Sequence, residues 1–207
     1  MNVLVTGAAG FLGQNLCIRL SREKDCTVLP FDIANEESEL FELLTKADRI
    51  VHLAGINRPL EPSEFMAGNF GLTSTIADAL EKMQRPIPII FSSSIQAELQ
   101  NDYGKSKRAA EERLRVYNER TGAPVRIFRF ANIFGKWCRP NYNSAVATFC
   151  YNIVHGLPLT IHDPGAPLQL VYIDDVVEAI VRELKAELES FAYVTAEPVY
   201  ETTVGQV

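Results

Sequence analysis

The sequence predicts an α/β fold, a doubly wound parallel sheet that continues into a smaller C-terminal lobe. Three observations predict it. Short apolar, β-branched runs alternate with amphipathic stretches at the spacing of right-handed βαβ crossovers. The runs are nearly continuous in apolar residues, which suits strands buried on both faces. A glycine-rich turn, Thr6-Gly7-Ala8-Ala9-Gly10-Phe11-Leu12-Gly13, joins the first run to the first amphipathic stretch. With 207 residues, 47% of them hydrophobic and 22% charged, the chain can build a core of ordinary size.

Taken in order, residues 3–6 form a strand, and a helix follows over residues 10–22 with Leu12, Leu16 and Leu20 on one face. Residues 26–31 are the second strand, 36–46 a short helix and 48–54 a third strand. Residues 65–83 read as one long helix, because Leu72, Ile76, Ala79, Leu80 and Met83 keep helical register. A strand over 86–92 opens on two prolines. A charged helix over 103–120 stops at Thr121-Gly122-Ala123-Pro124, a C-terminal stop signal. Residues 125–130 are a strand, and 143–155 and 174–188 are helices. The proline, aromatic and asparagine residues crowding 137–142 read as an elaboration at the ligand edge of the sheet.

Composition excludes several functions. The formal net charge of −6 argues against non-specific nucleic-acid binding. Cys17, Cys26, Cys138 and Cys150 are scattered, no Cys-x-x-Cys pair exists and only three histidines are present, so no metal site or disulfide framework is expected. No basic segment precedes Met1-Asn2-Val3-Leu4-Val5, and no apolar run approaches the ~20 residues of a membrane span. The expected setting is a reducing cytoplasm, with no membrane partner.

Three motifs carry chemistry. In the glycine turn, Gly7 permits the tight turn, Gly10 admits a pyrophosphate and Gly13 lets the helix pack closely on the strand. The free N–H groups of the helix start then face the phosphates; a ligand-free turn is the alternative. Asp32, at the end of the second strand, stands where an acidic residue bonds the adenosine ribose 2′-hydroxyl and repels a 2′-phosphate. A helix N-cap serves equally well as an account of it. Tyr103 and Lys107 lie four apart on one helix face, where an ammonium beside a phenol lowers the phenol's pKa. They follow the fourth strand and Ser92-Ser93-Ser94, whose hydroxyls can hold a carbonyl oxygen.

These elements, in this order, make the chain resemble the short-chain dehydrogenase/reductase superfamily with its Rossmann fold, in the extended branch that acts on nucleotide sugars. Val51-His52-Leu53-Ala54-Gly55, the serine run, Tyr103-Gly104-Lys105-Ser106-Lys107, Asn69, Asn132 and Tyr172-Ile173-Asp174-Asp175 all match that branch. A closer resemblance is to the reductase domain of CapF-type capsular-polysaccharide synthesis enzymes. It rests on His52-Leu53-Ala54-Gly55-Ile56-Asn57-Arg58-Pro59, Ser92-Ser93-Ser94-Ile95-Gln96-Ala97 and the run from Phe134-Gly135-Lys136-Trp137-Cys138-Arg139 to Pro140-Asn141-Tyr142-Asn143-Ser144.

The resemblance implies NADPH-dependent reduction of the 4-keto group of a UDP-2-acetamido-2,6-dideoxyhexulose, on the way to the N-acetyl-L-fucosamine precursor of capsule or O-antigen. Tyr103 would be the acid, Lys107 would tune it and hold the nicotinamide ribose, and Ser94 would bind the carbonyl oxygen. Gly7, Gly10, Phe11, Leu12, Gly13, Asp32, Leu53, Ala54 and Gly55 would line the cofactor site. Asn132, Lys136 and Arg139 would meet the substrate, with Trp137 and Tyr142 stacking on the uracil or lining the sugar pocket. A solvated basic loop is the plainer reading of Lys136 to Tyr142.

Asp32 favours NADH where the resemblance implies NADPH, so the cofactor stays NAD(P)(H). The run from Glu111 to Arg115 and Glu119-Arg120 reads as a solvated helix face. The resemblance also implies a homodimer built on the helices over 65–83 and 103–120, their apolar stripes forming a four-helix bundle. Residues 1–133 would be the Rossmann core and 134–207 substrate-side elements, truncated at Val207, where Thr203-Val204-Gly205-Gln206 reads as another helix start. The CapF-type C-terminal cupin is absent from this sequence. A nucleotide-sugar 4-epimerase remains an alternative, as does a non-catalytic NAD(P)-sensing binding module. A dehydratase is disfavoured, because Ile95 and Gln96, not a carboxylate, follow Ser94.

Overall fold

Alternation along the strands decides which helix packs on which face. In the computed structural model, which describes residues 1–207, β1 (Asn2–Thr6), β2 (Thr27–Phe31), β3 (Arg49–His52), β4 (Ile89–Ser94) and β5 (Val125–Phe130) lie parallel. β6 (Asn132–Phe134) and β7 (Pro167–Tyr172) turn away into a second sheet. β8 (Phe191–Val194) rejoins the first sheet, and β9 (Val199–Thr203) closes the second. The strand orders are β2-β1-β3-β4-β5-β8 and β6-β7-β9.

Val3 and Val5 of β1 point to one face and join Leu16 and Leu20 of α1 (Phe11–Leu20). Leu4 points to the other, with Leu40 and Leu44 of α2 (Glu37–Lys46). The chain leaves β1 toward β2 and returns on its other side as β3, so β1 and β3 flank the switch point. Ligands of doubly wound sheets bind beyond the strand ends there. The register ends β1, β2 and β3 together at Thr6, Phe31 and His52.

One helix read as continuous is interrupted, while the helix over 103–120 forms as expected. The helix over 65–83 is α3 (Ser63–Phe65), a π-turn (Met66–Gly71) and α4 (Leu72–Met83). The extra residue per turn lets Asn69 point inward, where its side chain accepts from Ile56 N at 2.9 Å and donates to Ile56 O at 3.1 Å. α5 (Asp102–Thr121) starts under an Asn101 cap, whose Oδ1 accepts from Gly104 N at 2.6 Å. β4 begins after Pro86 and Pro88, which have no N–H to give the ladder.

The expected bundle stripe is spent inside the subunit. Ile76, Ala79 and Leu80 of α4 and Ala110, Leu114 and Tyr117 of α5 are all buried against the sheet. Glu111 corrects the solvated-face reading: it is 2% exposed. Its position, four residues past Lys107, turns it toward the sheet.

Residues past 134 serve both sheets. α7 (Ile173–Lys185) packs into the same core as α1, whereas α6 (Ala145–Val154) buries no side chain despite its apolar sequence. Residues 203–206 do not start a helix. Thr203 ends β9, and the turn behind it is pinned by Val204 N to Ala166 O at 3.0 Å and Gly205 N to Pro164 O at 2.9 Å. No helix is long and apolar enough to cross a membrane. No group of three or more His, Cys, Asp or Glu is placed to hold a metal ion.

Candidate active site

The turn after β1 is built by close approach. Gly7 has φ +70°, and a Cβ there would lie 2.7 Å from Ala54 N. A Cβ at Gly13 would lie 2.1 Å from Gly7 O, so helix and loop touch backbone to backbone. Gly10 is different: a Cβ there meets only Gly7 O, at 3.2 Å, leaving open the side on which a pyrophosphate would lie. Phe11 and Leu12, in the first turn of α1, are half-buried against the core. The loop therefore fits a dinucleotide.

Asp32 is not the cap of α2; that place is held by Glu36. Its Oδ2 accepts from Ala9 N at 2.7 Å and its Oδ1 from Ile33 N at 2.8 Å. The carboxylate thus belongs to the glycine loop, the position required for a ribose contact. A cavity of about 460 Å³ opens beside it, lined by Ala8, Ala9, Asp32 and Asn35 among others, and also by Trp137. Trp137 therefore borders the cavity at the glycine loop, whereas the sequence reading placed it on the uracil or in the sugar pocket. Cys17, also lining it, is an inert thiol, pushed by burial up to about 11.

The strand ends complete the crevice. Leu53 N donates to Thr6 O at 3.2 Å, and Ala54 N donates to the Thr6 hydroxyl, also at 3.2 Å. Thr6 Oγ1 lies 2.6 Å from His52 Nδ1, and His52 Nε2 lies 2.9 Å from Thr73 Oγ1. The Thr73 hydroxyl gives its proton to Asn69 O at 2.7 Å. Nε2 must therefore carry the imidazole proton, and Nδ1 accepts from Thr6. This chain satisfies a neutral His52, and burial, helped by the Lys107 charge, lowers its pKa to about 3.

Tyr103, Lys107 and Ser94 meet beyond the end of β4. Lys107 is 4% exposed, donates to Ser92 O at 2.9 Å and stands 6.0 Å from the Tyr103 ring centroid. A side chain at Gly55 would meet its Nζ at 3.1 Å, so the lysine borders the crevice. Tyr103 also packs on Phe65, with ring centroids 5.7 Å apart. Its phenol corrects the sequence expectation: burial pushes it above its ordinary value, and the Ser94 hydroxyl only partly offsets this. Burial lowers Lys107 to about 8 against the opposing pull of Glu111.

Ser93 is a structural residue. Its hydroxyl donates to Glu111 at 2.5 Å, and Glu111 takes Arg129 on both oxygens, at 3.0 and 2.6 Å. Ser94 alone faces Tyr103, and it accepts from Gln96 N at 3.2 Å. Gly104 seats α5 on this turn: a Cβ there would lie 2.2 Å from Gln96 O.

The expected substrate residues separate. Asn132 Nδ2 donates to Gln169 O at 3.0 Å across the second sheet. Lys136 pairs with Asp174 at 2.6 Å, at the start of α7. Arg139 lies over the Tyr142 ring at 5.4 Å, and Arg58 lies over the same ring at 5.5 Å. Arg58 and Tyr142 share a second cavity, of about 570 Å³, with Ser144, Thr148 and His162. Arg58 was missed as a site residue; its one signal was the Asn57-Arg58-Pro59 run.

Residues 3–194 match the NAD dependent epimerase/dehydratase family. The chain belongs to that family. It is 49% identical, over all 207 residues, to the UDP-2-acetamido-2,6-beta-L-arabino-hexul-4-ose reductase of Pseudomonas aeruginosa and spans 56% of that protein. The capsular polysaccharide assembling protein CapF of Staphylococcus aureus superposes with a TM-score of 0.87 at 41% identity, over the whole of this chain and 56% of that one. A UDP-glucuronic acid 4-epimerase of Bacillus cereus, in complex with UDP-glucuronic acid and NAD, has the same fold (TM-score 0.87, 21% identity, covering 99% of this chain and 80% of that one). The chain thus spans just over half the length of its two more similar relatives, and the family members share the parallel sheet described above.

Proposed function

We propose that the chain is the catalytic part of a cytoplasmic nucleotide-sugar reductase, acting on the 4-keto group of a UDP-linked 2-acetamido-2,6-dideoxyhexulose in capsule or O-antigen synthesis. The observation that carries the chemistry is the meeting of Tyr103, Ser94 and Lys107 at the mouth of the glycine-loop crevice. Identity over the full chain to the Pseudomonas reductase supports the substrate class. Gly7, Gly10, Phe11, Leu12, Gly13, Asp32, Leu53, Ala54 and Gly55, with Tyr103 and Lys107, would hold the nicotinamide dinucleotide. When bound, that cofactor supplies the hydride.

The chain's own groups do the rest. Ser94 and Tyr103 donate hydrogen bonds to the carbonyl oxygen and polarise it. Tyr103, its pKa raised, holds its proton at neutral pH and can release it to the oxygen as negative charge develops there. Lys107 places a cation beneath the same pocket and steadies that charge. Arg58 joins Arg139 as the diphosphate-facing pair, with Asn132 and Lys136 at the sugar side. Asp32, the one charged residue lining the first cavity, favours NADH, whereas the resemblance to CapF-type enzymes implies NADPH. Separate calorimetric titrations decide: tighter NADH binding supports Asp32 as the selector, and tighter NADPH binding supports the resemblance. We also propose a homodimer through the outer faces of α4 and α5, where Ala109 and Val116 are half-buried.

The test of the reading is Tyr103→Phe. It removes one hydroxyl, so cofactor binding should persist while turnover of the UDP-keto-sugar falls by ~10²–10⁴. Turnover at the wild-type rate would refute the assignment. Conversion of substrate with no net oxidation of the nicotinamide would mark an epimerase.

A further inference from the structure

The loop expected to serve the sugar reaches the other end of the crevice. Lys136 O accepts from Asn15 Nδ2 of α1 at 3.3 Å, while its ammonium is fixed to Asp174 of α7. Held from both helices, the backbone takes φ +67° at Trp137, a conformation that side chains other than glycine rarely adopt. The result is an indole 52% exposed at the rim of the cavity floored by Ala8, Ala9 and Asp32. Strain at a large side chain turned to a cavity rim points to a ligand contact. Asp32, in that same cavity, marks the ribose end of a dinucleotide.

We propose that Trp137 is a cofactor-binding residue, the outer wall of the adenosine end of the dinucleotide site, although its loop belongs to the substrate side of the chain. This rests on the cofactor reading above. An indole offers a flat apolar face to a ribose or purine. It makes the loop that carries Lys136 and Arg139 settle against the cofactor, so a filled adenosine site steadies the segment that meets the sugar.

Trp137 is the chain's single tryptophan, so its emission reports on this place alone. The probe is ADP-ribose, which lacks the nicotinamide, titrated by calorimetry and by tryptophan emission in parallel. The expected result is a saturable emission change with the calorimetric dissociation constant. Trp137→Gly, which suits the backbone there, should bind ADP-ribose at least about fivefold more weakly, the low end of a base–aromatic contact. Its UDP affinity should stay within about twofold of wild type. Calorimetric binding without an emission change, or with unchanged affinity in Trp137→Gly, overturns the proposal and leaves the reductase reading standing. Loss of UDP affinity in the variant instead returns Trp137 to the sugar and also overturns it. Failure of ADP-ribose, NADH and NADPH alike to bind overturns both readings.

Discussion

At the scale of single residues, Lys107 carries the largest tension between stability and chemistry. Its pKa falls from 10.5 to about 8 on burial, a shift worth about 3 kcal/mol. The unfolded chain binds that proton more tightly than the folded one. The cost is therefore full below pH 8 and fades as the pH rises toward 10.5. Lys107→Met should raise the unfolding free energy at pH 7, read from denaturant midpoints, by up to about 3 kcal/mol less the lost bond to Ser92 O, and the gain should vanish near pH 11. The same variant should lose turnover and cofactor affinity. A variant that is less stable at pH 7 would show that the ammonium is not strained by burial. Turnover of the wild type should fall as the pH passes 8 and Lys107 discharges. The Tyr103–Lys107 pair was legible because four-residue spacing on a helix is a local property. The direction of the Tyr103 shift was not, since burial is set by Phe65 and by the crevice walls. Glu111 escaped notice for the same reason: a charge run looks alike whether a strand or water faces it.

At the scale of elements, the link from Thr6 through His52 and Thr73 to Asn69 ties β1, β3, the π-turn and α4 together by side chains. It requires a neutral imidazole. The unfolded chain takes up the proton near pH 6.5, the folded chain only at about pH 3. Stability from this group is complete above pH 6.5 and is lost progressively down to pH 3, by about 5 kcal/mol in all. His52→Gln should start less stable at pH 7 and lose less between pH 6.5 and 4, read from urea midpoints. An equally steep decline would assign the acid sensitivity elsewhere. The strands β1 to β5 were legible because each is an apolar run with sharp ends. The π-turn was not: Asn69 and Thr73 keep helical spacing, and only their partners in Ile56 and His52 reveal the inserted residue. β6, β7 and β9 were hidden because β6 has only three residues and, of all three strands, only Leu170 and Val171 of β7 are buried, so their pattern lacks the two-sided burial that marks the main sheet.

At the scale of the whole molecule, one buried ion pair joins four elements of the main sheet and its cover. Glu111 of α5 binds Ser93 of β4 and Arg129 of β5, and Tyr193 of β8 donates to it at 3.2 Å. Glu111→Ala leaves Arg129 with Glu98 as its one carboxylate partner and the buried Ser93 hydroxyl without its acceptor, and should cost about 1–3 kcal/mol. A melting temperature within a degree or so of wild type would show the pair to be dispensable. Assembly is tested by sedimentation: twice the chain mass is expected, and monomer alone at high concentration would refute the dimer. Because Ile76, Ala79, Leu80, Ala110, Leu114 and Tyr117 lie inside the subunit, the proposed dimer would have to use the outer faces of α4 and α5, where Arg113 pairs with Asp78 and Glu81.

Gly104 presses α5 onto the turn after β4, and Asn101 fastens the same joint, its Nδ2 donating to Gln96 Oε1 at 3.3 Å. The two hydroxyls proposed to address the carbonyl therefore ride on one body. Thermal displacements of Ser94 and Tyr103 should therefore be correlated, with the gap between them fluctuating less than either position does. On the proposed chemistry, a sugar that entered slightly askew would meet a pair that shifts together and keeps its spacing, so the aim of the proton would survive motions that would blur two independent groups.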